Sequence, residues 1–362
     1  MTHATSFRKA GIATCLLLVL GCGPQPDSNE SEPTVGSEPA ASEPTSSLVG
    51  KIEIDGSSTV QPISNAIREA FVAQHPGVSI NVLGNGTGNG FKKFQEKETD
   101  ISDASRPIKG SEFAKCAANG VAFIELPVAY DGLTIVVHPA NDWVQELTID
   151  QLQQMFVGDD AATQWKDIDE SWPAEDINIF APGTGSGTYD YFHEVLAKQD
   201  DAELRGDMNL NEDDNVLVQG VAGNKYSIGF FGVAYYEENK DKLRAVPVVN
   251  PADQTAYLPT SDNIAANLYA PISRPLFIYV NAQSLNRAEV QTFVEYYMEN
   301  TSEYCEKVGY VRLPAEIIEA GRANLDARQT GTHFVDAEGN SRSGSLSSLF
   351  KPENLVTIEA LQ

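Results

Sequence analysis

Residues 181–188, with the sequence APGTGSGT, constrain the fold of this chain more than any other stretch. The apolar-rich residues 177–180 before them predict a strand, and the spacing of apolar side chains over residues 191–196 predicts a helix after them. A glycine-rich turn that opens a helix directs unpaired backbone N–H groups and the positive end of the helix dipole at one point. Ser186 and Thr188 add hydroxyl donors. The stretch therefore predicts an α/β fold with an uncharged cradle for a small oxyanion.

The residues of this stretch do not fit two known functional motifs. A Walker A loop needs a lysine, and the stretch contains none. A nucleophile elbow needs a glycine two residues on either side of its serine, where this chain has Thr184 and Thr188. A plain helix cap without a ligand is the alternative interpretation of this stretch taken alone.

Targeting signals dominate the first 47 residues. Arg8 and Lys9 precede an apolar stretch that is too short to span a bilayer and that ends in Val-Leu-Gly-Cys, which resembles a bacterial lipobox. We expect residues 1–21 to be a lipoprotein signal peptide and Cys22 to be lipidated; an ordinary secretory signal with a coincidental cysteine is the alternative. Residues 22–47 are rich in Pro, Ser and Glu, so we expect a disordered tether. The globular part is then extracytoplasmic and anchored to a bacterial membrane.

The remaining cysteines and the charge narrow the classes of partner. Outside the cytoplasm, a lone pair of cysteines is more often a disulfide than a metal site, so we expect Cys116 and Cys305 to be bridged. The formal net charge of −26 argues against nucleic acid and against an anionic membrane surface. The five histidines show no ligand spacing, so we expect no metal and no cofactor.

Two further loops of the same kind follow predicted strands. Residues 51–56 lead into Ser-Ser-Thr at 57–59, and residues 78–82 lead into Gly-Thr-Gly at 86–88; a helical pattern follows each loop. The glycines of the second loop do not have the spacing of a dinucleotide fingerprint. Each loop predicts close-approach amides and hydroxyl donors at the carboxyl end of a strand; a flexible connection is the alternative for residues 84–90.

A third predicted strand ends in Ser-Arg at Arg106. The guanidinium of Arg106 has a fixed fork that suits a tetrahedral oxyanion. An ordinary ion pair with Asp103 or Glu112 is the alternative. Arg106 lies at the carboxyl end of its predicted strand, the same position that the two loops have on theirs. We therefore expect Arg106 to contact the ligand.

Two long apolar runs predict where the chain passes between domains. A single strand over residues 123–138 would be unusually long, so we predict a strand, a turn at 130–132 and a second strand. Residues 272–280 predict the return. The resulting domains are a first lobe of residues 48–134 and 275–330, a second lobe of residues 135–274, and a polar C-terminal tail of residues 331–362 that packs through Leu349 and Phe350. Ligands of open α/β sheets bind at the carboxyl ends of strands, which here face the cleft between the lobes.

Five motifs together resemble the phosphate-binding component of high-affinity phosphate ABC importers (PstS type). They are Asp55-Gly-Ser-Ser-Thr-Val, Asp100-Ile-Ser-Asp-Ala-Ser-Arg, Tyr130-Asp-Gly-Leu-Thr, Ser186-Gly-Thr and Ser273-Arg-Pro-Leu. The resemblance covers residues 48–325. It implies a two-lobed periplasmic-binding-protein fold of type II with two chain crossovers, and a monomer that captures inorganic phosphate, delivers it to ABC permease subunits and performs no chemistry. The residues expected to bind the ligand are Ser58, Thr59, Val60, Thr87, Arg106, Ser186, Gly187 and Thr188.

The chain departs from the family pattern at two positions. Many members have an arginine four residues before the serine of Ser-Gly-Thr, where this chain has Pro182. One branch has an aspartate after Ala-Ser that accepts the hydrogen of protonated phosphate, where this chain has Arg106. We therefore expect the cationic group on the other lobe, with Asp103 and Asp131 as candidates for the acceptor.

Three other functions compete with phosphate uptake. The first is a receptor for another tetrahedral oxyanion, such as sulfate or molybdate. The second is a secreted phosphate-ester hydrolase with Ser186 as the nucleophile, although no histidine lies in an evident base position. The third is a signalling or adhesion lipoprotein that has the same fold.

Overall fold

A mixed β-sheet runs through the protein, with helices on both of its faces. The computed structural model describes residues 48–197 and 202–358; the expected signal peptide, Cys22 and the tether lie outside these residues. The strands are β1 (Val49–Gly56), β2 (Gly77–Leu83), β3 (Ile101–Ala104), β4 (Phe123–Val137), β5 (Asn178–Pro182), β6 (Asn209–Asn211), β7 (Ser227–Gly232), β8 (Arg244–Ala245), β9 (Val248–Asn250), β10 (Thr255–Tyr257) and β11 (Ser273–Asn281).

Most helices lie between strands along the chain, and three helices follow the last strand. The helices are α1 (Gln61–Gln74), α2 (Thr87–Gln95), α3 (Gly110–Ala118), α4 (Ile149–Phe156), α5 (Gly187–Leu196), α6 (Asp214–Ala222), α7 (Val233–Glu238), α8 (Ser261–Ala265), α9 (Ala288–Lys307), α10 (Ala315–Asp326) and α11 (Leu346–Leu349). Within residues 48–197 and 202–358, none of the helices has both the length and the apolar character that crossing a bilayer requires.

The strand order is β2-β1-β3-β11-β4-β7-β5-β6, with β8 paired to β4, and β9 and β10 form a separate ribbon. β1 is parallel to β2 and β3, and β5 is parallel to β6 and β7. β11 is antiparallel to both β3 and β4. Two parallel groups of strands are therefore joined through the antiparallel pair β4 and β11.

The predicted turn at residues 130–132 is wrong, because β4 continues through it as one strand of 15 residues. Asp131 pairs with Arg274 and Gly132 pairs with Ser273 of β11, which keeps the backbone extended. The first part of β4 pairs with β11 and its last five residues pair with β7. The strand is long because its two parts belong to different neighbours.

The loop-to-helix transitions follow from local sequence. Pro62 lies in the first turn of α1, where a missing N–H leaves no hydrogen bond unmade. The Ser186 side chain accepts a hydrogen bond from the Thr188 N–H and caps α5. Thr148 and Gln151 form a reciprocal capping box at α4. These residues start the helices close to the positions that the sequence predicts.

The expected disulfide is wrong: Cys116 and Cys305 are free, buried thiols. Cys116 packs with Phe123 on one face of β4. Cys305 packs with Ile124 and Leu126 on the opposite face. Because successive side chains of a strand point to opposite faces, the two thiols lie on different sides of the sheet and cannot meet.

The C-terminal segment (residues 331–358) is more than a polar tail, because it packs into the core. The Gly331 N–H donates to the Phe123 carbonyl oxygen at 2.9 Å, and Thr332 and Val356 form a bridge within the segment. Leu349 packs against the core from a half-buried position. The buried apolar side chains of the segment are Phe334, Val335, Leu346, Phe350, Val356 and Ile358. These apolar side chains do not repeat with a helical or strand period, so the sequence pattern does not indicate how much of the segment is packed.

Candidate functional site

A cavity of about 510 Å³ lies where the turns after β1 and β3, the start of α2, one face of α5 and β11 meet. Its wall combines hydroxyls and glycine amides with two guanidinium groups and two carboxylates. The lining residues are Ser57, Ser58, Thr59, Gly86, Thr87, Gly88, Ser105, Arg106, Lys109, Asp190, His193, Glu194 and Arg274. The chain therefore concentrates small polar donors at the carboxyl ends of its parallel strands.

Hydrogen bonds of backbone and hydroxyl groups join the turn after β1, the turn before α2 and the turn after β3. The Ser57 N–H donates to the Asp103 carbonyl oxygen at 2.8 Å, and the Gly86 N–H donates to the Gly56 carbonyl oxygen at 2.6 Å. The Ser105 N–H donates to the Thr87 hydroxyl oxygen at 3.1 Å. The positions of these turns are fixed by one another as well as by the strands.

The Asp55 side chain holds the turn that precedes α2. Its carboxylate accepts hydrogen bonds from the Asn85 side chain at 2.9 Å and from the Lys93 ammonium at 2.5 Å. Burial raises the pKa of Asp55, but the hydrogen bonds from Lys93 and Asn85 together bring that pKa below its usual value. The carboxylate therefore stays ionised and ties the start of α2 to the end of β1.

Four of the eight predicted ligand residues line this cavity: Ser58, Thr59, Thr87 and Arg106. Ser186, Gly187 and Thr188 line an adjacent cavity of about 290 Å³, and Ser58 lines both. The Val60 side chain is fully buried and lines neither cavity.

The start of α5 lies directly against the turn after β1. A Cβ atom on Gly187 would lie 2.8 Å from the Thr59 Cα atom, so only glycine permits this approach. The Thr59 hydroxyl donates to the Gly187 carbonyl oxygen at 3.5 Å, and the Ser58 hydroxyl donates to Asp190 at 3.2 Å. These contacts bring the predicted loops of both sheet halves to one place.

Arg106 lines the cavity and also makes the ion pair that was the alternative interpretation. Its two terminal nitrogens donate to the two carboxylate oxygens of Glu112, each at 2.8 Å. Its guanidinium lies 5.6 Å from the centre of the Phe91 ring. The fork of Arg106 is thus occupied by a carboxylate at the edge of the cavity.

Arg274 is the site residue that the sequence analysis missed. Its Nη2 donates to the Thr59 hydroxyl oxygen at 3.1 Å, and its Nη1 donates to Glu194 at 3.1 Å. Its Nε lies 3.4 Å from an Asp131 carboxylate oxygen, and its guanidinium stacks 3.6 Å above the Tyr191 ring. The motif Ser273-Arg-Pro-Leu contained the signal, but a strand position gave no indication that the side chain faces the cavity.

The two carboxylates proposed as hydrogen acceptors lie behind the cavity wall. Asp103 is fully buried and accepts the Ser64 hydroxyl at 2.8 Å, while Asp131 is 1% exposed and faces Arg274. Burial raises the pKa of Asp103 to about 8, and burial raises that of Asp131 even though Arg274 opposes it. The carboxylates that line the cavity are Asp190 and Glu194.

The surroundings of Ser186 do not have the geometry of a nucleophile with its base. The Ser186 hydroxyl oxygen accepts the Thr188 N–H at 3.2 Å. The His193 ring nitrogen Nε2 lies 2.9 Å from the Ala202 carbonyl oxygen, and neither of these hydrogen bonds joins Ser186 to the histidine ring. In the described part of the chain, no group of three or more His, Cys, Asp or Glu side chains is arranged to hold a metal ion.

Comparison with known proteins assigns the chain to a family. The sequence profile of the PBP superfamily domain matches residues 38–301. SphX of Synechococcus elongatus is 43% identical over 308 residues, which is 84% of this chain and 89% of SphX. The phosphate-binding protein PstS of Staphylococcus haemolyticus is 40% identical over 268 residues, which is 74% of this chain and 82% of PstS.

A solved structure supports the same assignment. A possible phosphate binding protein from Planctomyces limnophilus superposes with a TM-score of 0.76 at 40% identity, over 78% of this chain and 100% of the other. The superposition confirms the predicted α/β fold, in the type II form of periplasmic binding proteins. The chain belongs to the PBP superfamily, in the family that SphX and PstS represent.

Proposed function

We propose that this protein binds inorganic phosphate and delivers it to an ABC permease, without performing chemistry. The observation that carries the proposal is the cavity, whose wall combines the hydroxyl-bearing and glycine residues of three turns with the guanidinium of Arg274, which donates to the Thr59 hydroxyl oxygen. Relatives at about 40% identity are named phosphate-binding proteins, which agrees with this chemistry.

The proposed ligand set joins predicted residues with one from the structure. Ser58, Thr59 and the Val60 amide would donate from the turn after β1, and Thr87 from the start of α2. Ser186, Gly187 and Thr188 would donate from the start of α5, with Arg106 at the edge. Arg274 contributes positive charge, and the N-termini of α2 and α5 add partial positive charge.

Charge and geometry are compatible even though the chain is strongly acidic. Carboxylates more than a Debye length of about 8 Å away are screened at physiological salt, whereas hydroxyl and amide donors act at contact. Exclusion of water from a closed cavity strengthens each of these bonds. A dianion can therefore be held mostly by neutral donors, with the guanidinium of Arg274 at the wall of the cavity.

The proposal includes a two-lobed organisation with residues 48–134 and 275–330 in one lobe and residues 135–274 in the other. The chain would cross between them twice, in β4 and in β11. The antiparallel pairing of these two strands supports a paired hinge, because both pass between the parallel strand groups side by side. Closure of the lobes would then bring α5 against the turn after β1.

We also propose the location and partners that the sequence indicates. A signal peptide and a lipid on Cys22 would anchor a monomer outside the cytoplasmic membrane, and permease subunits would receive the phosphate. The alternative is a receptor for sulfate or molybdate, since these anions have the same tetrahedral shape.

Isothermal titration of the purified protein with phosphate, sulfate and molybdate tests the proposal. We expect one phosphate per chain and much weaker binding of the other two anions. At phosphate concentrations of about 100 Kd, binding should raise the free energy of unfolding by about 2.7 kcal/mol. Heat with sulfate or molybdate but none with phosphate would replace phosphate with the other anion.

A further inference from the structure

The C-terminal segment lies against the Arg106 loop (residues 105–110), and nothing in the phosphate site described above explains its presence. A Cβ atom on Gly110 would lie 1.8 Å from the carbonyl oxygen of Gly339, so the two backbones touch. Gly110 is the first residue of α3, and Gly339 lies in a turn that the Asp336 side chain closes by accepting the Asn340 N–H. The turn of the C-terminal segment therefore covers the end of the Arg106 loop.

A buried chain of hydrogen bonds joins the same two parts of the molecule. The Thr332 hydroxyl donates to the Glu125 carboxylate at 2.7 Å, and the His333 N–H donates to its other oxygen at 3.0 Å. The Tyr279 hydroxyl donates to Glu125 at 2.9 Å and accepts the Ile108 N–H at 2.9 Å. Glu125 is 1% exposed and Tyr279 is fully buried. Only Pro107 lies between Ile108 and Arg106, so this series of hydrogen bonds ends inside the Arg106 loop.

Tyr279 also reaches Arg106 through an aromatic contact. The Phe91 ring packs edge-on against Tyr279, with 4.9 Å between the ring centres. The Arg106 guanidinium lies 5.6 Å from the centre of the same Phe91 ring. Both the backbone next to Arg106 and the ring beneath its guanidinium are thus in contact with Tyr279.

We propose that Tyr279 and Glu125 are positioning residues that tie the C-terminal segment to the Arg106 loop and so hold Arg106 at the wall of the phosphate cavity. The proposal rests on the proposed phosphate-binding function. Removal of the Tyr279 hydroxyl leaves the buried Ile108 N–H without its acceptor and takes a donor from Glu125. The Arg106 loop then samples more conformations, and only a fraction of them present the guanidinium to the anion.

Two variants and a matched control test this inference. Tyr279→Phe removes the hydroxyl at the centre of the hydrogen-bond series. Thr332→Val removes a hydroxyl within the C-terminal segment, none of whose residues lines the cavity. Thr301→Val is the control, because it removes one buried hydroxyl that donates to the Val128 carbonyl oxygen on the other face of β4. Titration with inorganic phosphate should show affinities about three- to tenfold weaker for Tyr279→Phe and Thr332→Val, and an unchanged affinity for Thr301→Val.

A double-mutant cycle with Arg106→Ala separates positioning from general destabilisation. Urea unfolding should show a similar loss of stability in all three hydroxyl variants, since each loses a buried hydrogen bond. In the Arg106→Ala background, Tyr279→Phe and Thr332→Val should no longer weaken phosphate binding. An effect of equal size in both backgrounds, or an unchanged affinity in the single variants, overturns the positioning role. Absence of phosphate binding by the unsubstituted protein would instead defeat the proposed function on which the inference rests.

Discussion

The Arg274 guanidinium lies 3.1 Å from the hydroxyl oxygen of Thr59, although the two residues are 215 positions apart in the sequence. Arg274 belongs to β11, and Thr59 to the turn after β1. The same guanidinium bonds to Glu194 of α5 and stacks on Tyr191. One side chain therefore contacts both sides of the proposed cleft, which places a guanidinium where both sides can enclose an anion.

The first prediction concerns the fork of Arg274. Arg274→Lys keeps the positive charge that Asp131 needs, but it removes the planar fork and its stacking on Tyr191. We expect phosphate affinity to fall about 10- to 100-fold, because a hydrogen bond to a charged group contributes about 1.5–3 kcal/mol. Isothermal titration measures the change. Arg312→Lys is the control, because the Arg312 side chain is 68% exposed and pairs with Glu306 outside the cavity; equal affinities of the two variants would exclude Arg274 from the site.

The turns of the site could be predicted because their signal is local. Glycine, serine and threonine after an apolar strand determine both the turn and the helix that follows, as at Thr59 and Thr87. Arg274 could not be assigned in this way, since its direction depends on the register of β11 against β3 and β4. Pairing of Arg274 with Asp131 is a property of strands that are distant in sequence.

Long-range packing explains the other differences between sequence and structure. β4 continues through Asp131 and Gly132 because β11 supplies a partner for each residue, which no local preference indicates. A disulfide is expected from the two cysteines that remain in the folded part. Cys116 and Cys305 instead pack against opposite faces of β4, where the sheet lies between them. Such outcomes depend on which elements become neighbours.

The second prediction concerns selectivity. Glu194 lines the cavity, and a carboxylate there can accept the hydrogen of protonated phosphate, whereas sulfate has no hydrogen to donate. We expect Glu194→Gln to lower the ratio of phosphate to sulfate affinity about 10- to 100-fold. Competition titrations at pH 7 measure this ratio. Asp190→Asn is the matched variant, because Asp190 is the other carboxylate that lines the cavity; a larger fall in that variant would assign the acceptor to Asp190.

The third prediction uses the close approach of α5 to the turn after β1. In Gly187→Ala the new Cβ would lie 2.8 Å from the backbone of Thr59, and these parts must move apart. We expect phosphate affinity to fall at least about fivefold, since overpacking typically costs about 1–3 kcal/mol. Gly185→Ala is the control, because its nearest neighbour is the flexible Glu212 side chain at 3.4 Å. Equal affinities of the two variants by titration would show that binding does not need this approach.

The last prediction follows from the buried carboxyl of Asp103, whose pKa burial raises to about 8 from the usual 3.8. Between these two values the folded protein holds a proton on Asp103 that the unfolded chain releases. The stability from this group is therefore fully present below about pH 4, and it falls as the pH rises, by at most about 1.4 kcal/mol per unit, until about pH 8. Asp103→Asn removes the titration and retains a partner for the Ser64 hydroxyl. Urea unfolding of both proteins from pH 5 to pH 9 should show their stability difference shifting in favour of Asp103→Asn up to about pH 8 and then levelling. A constant difference across this range would mean that Asp103 is ionised in the folded protein.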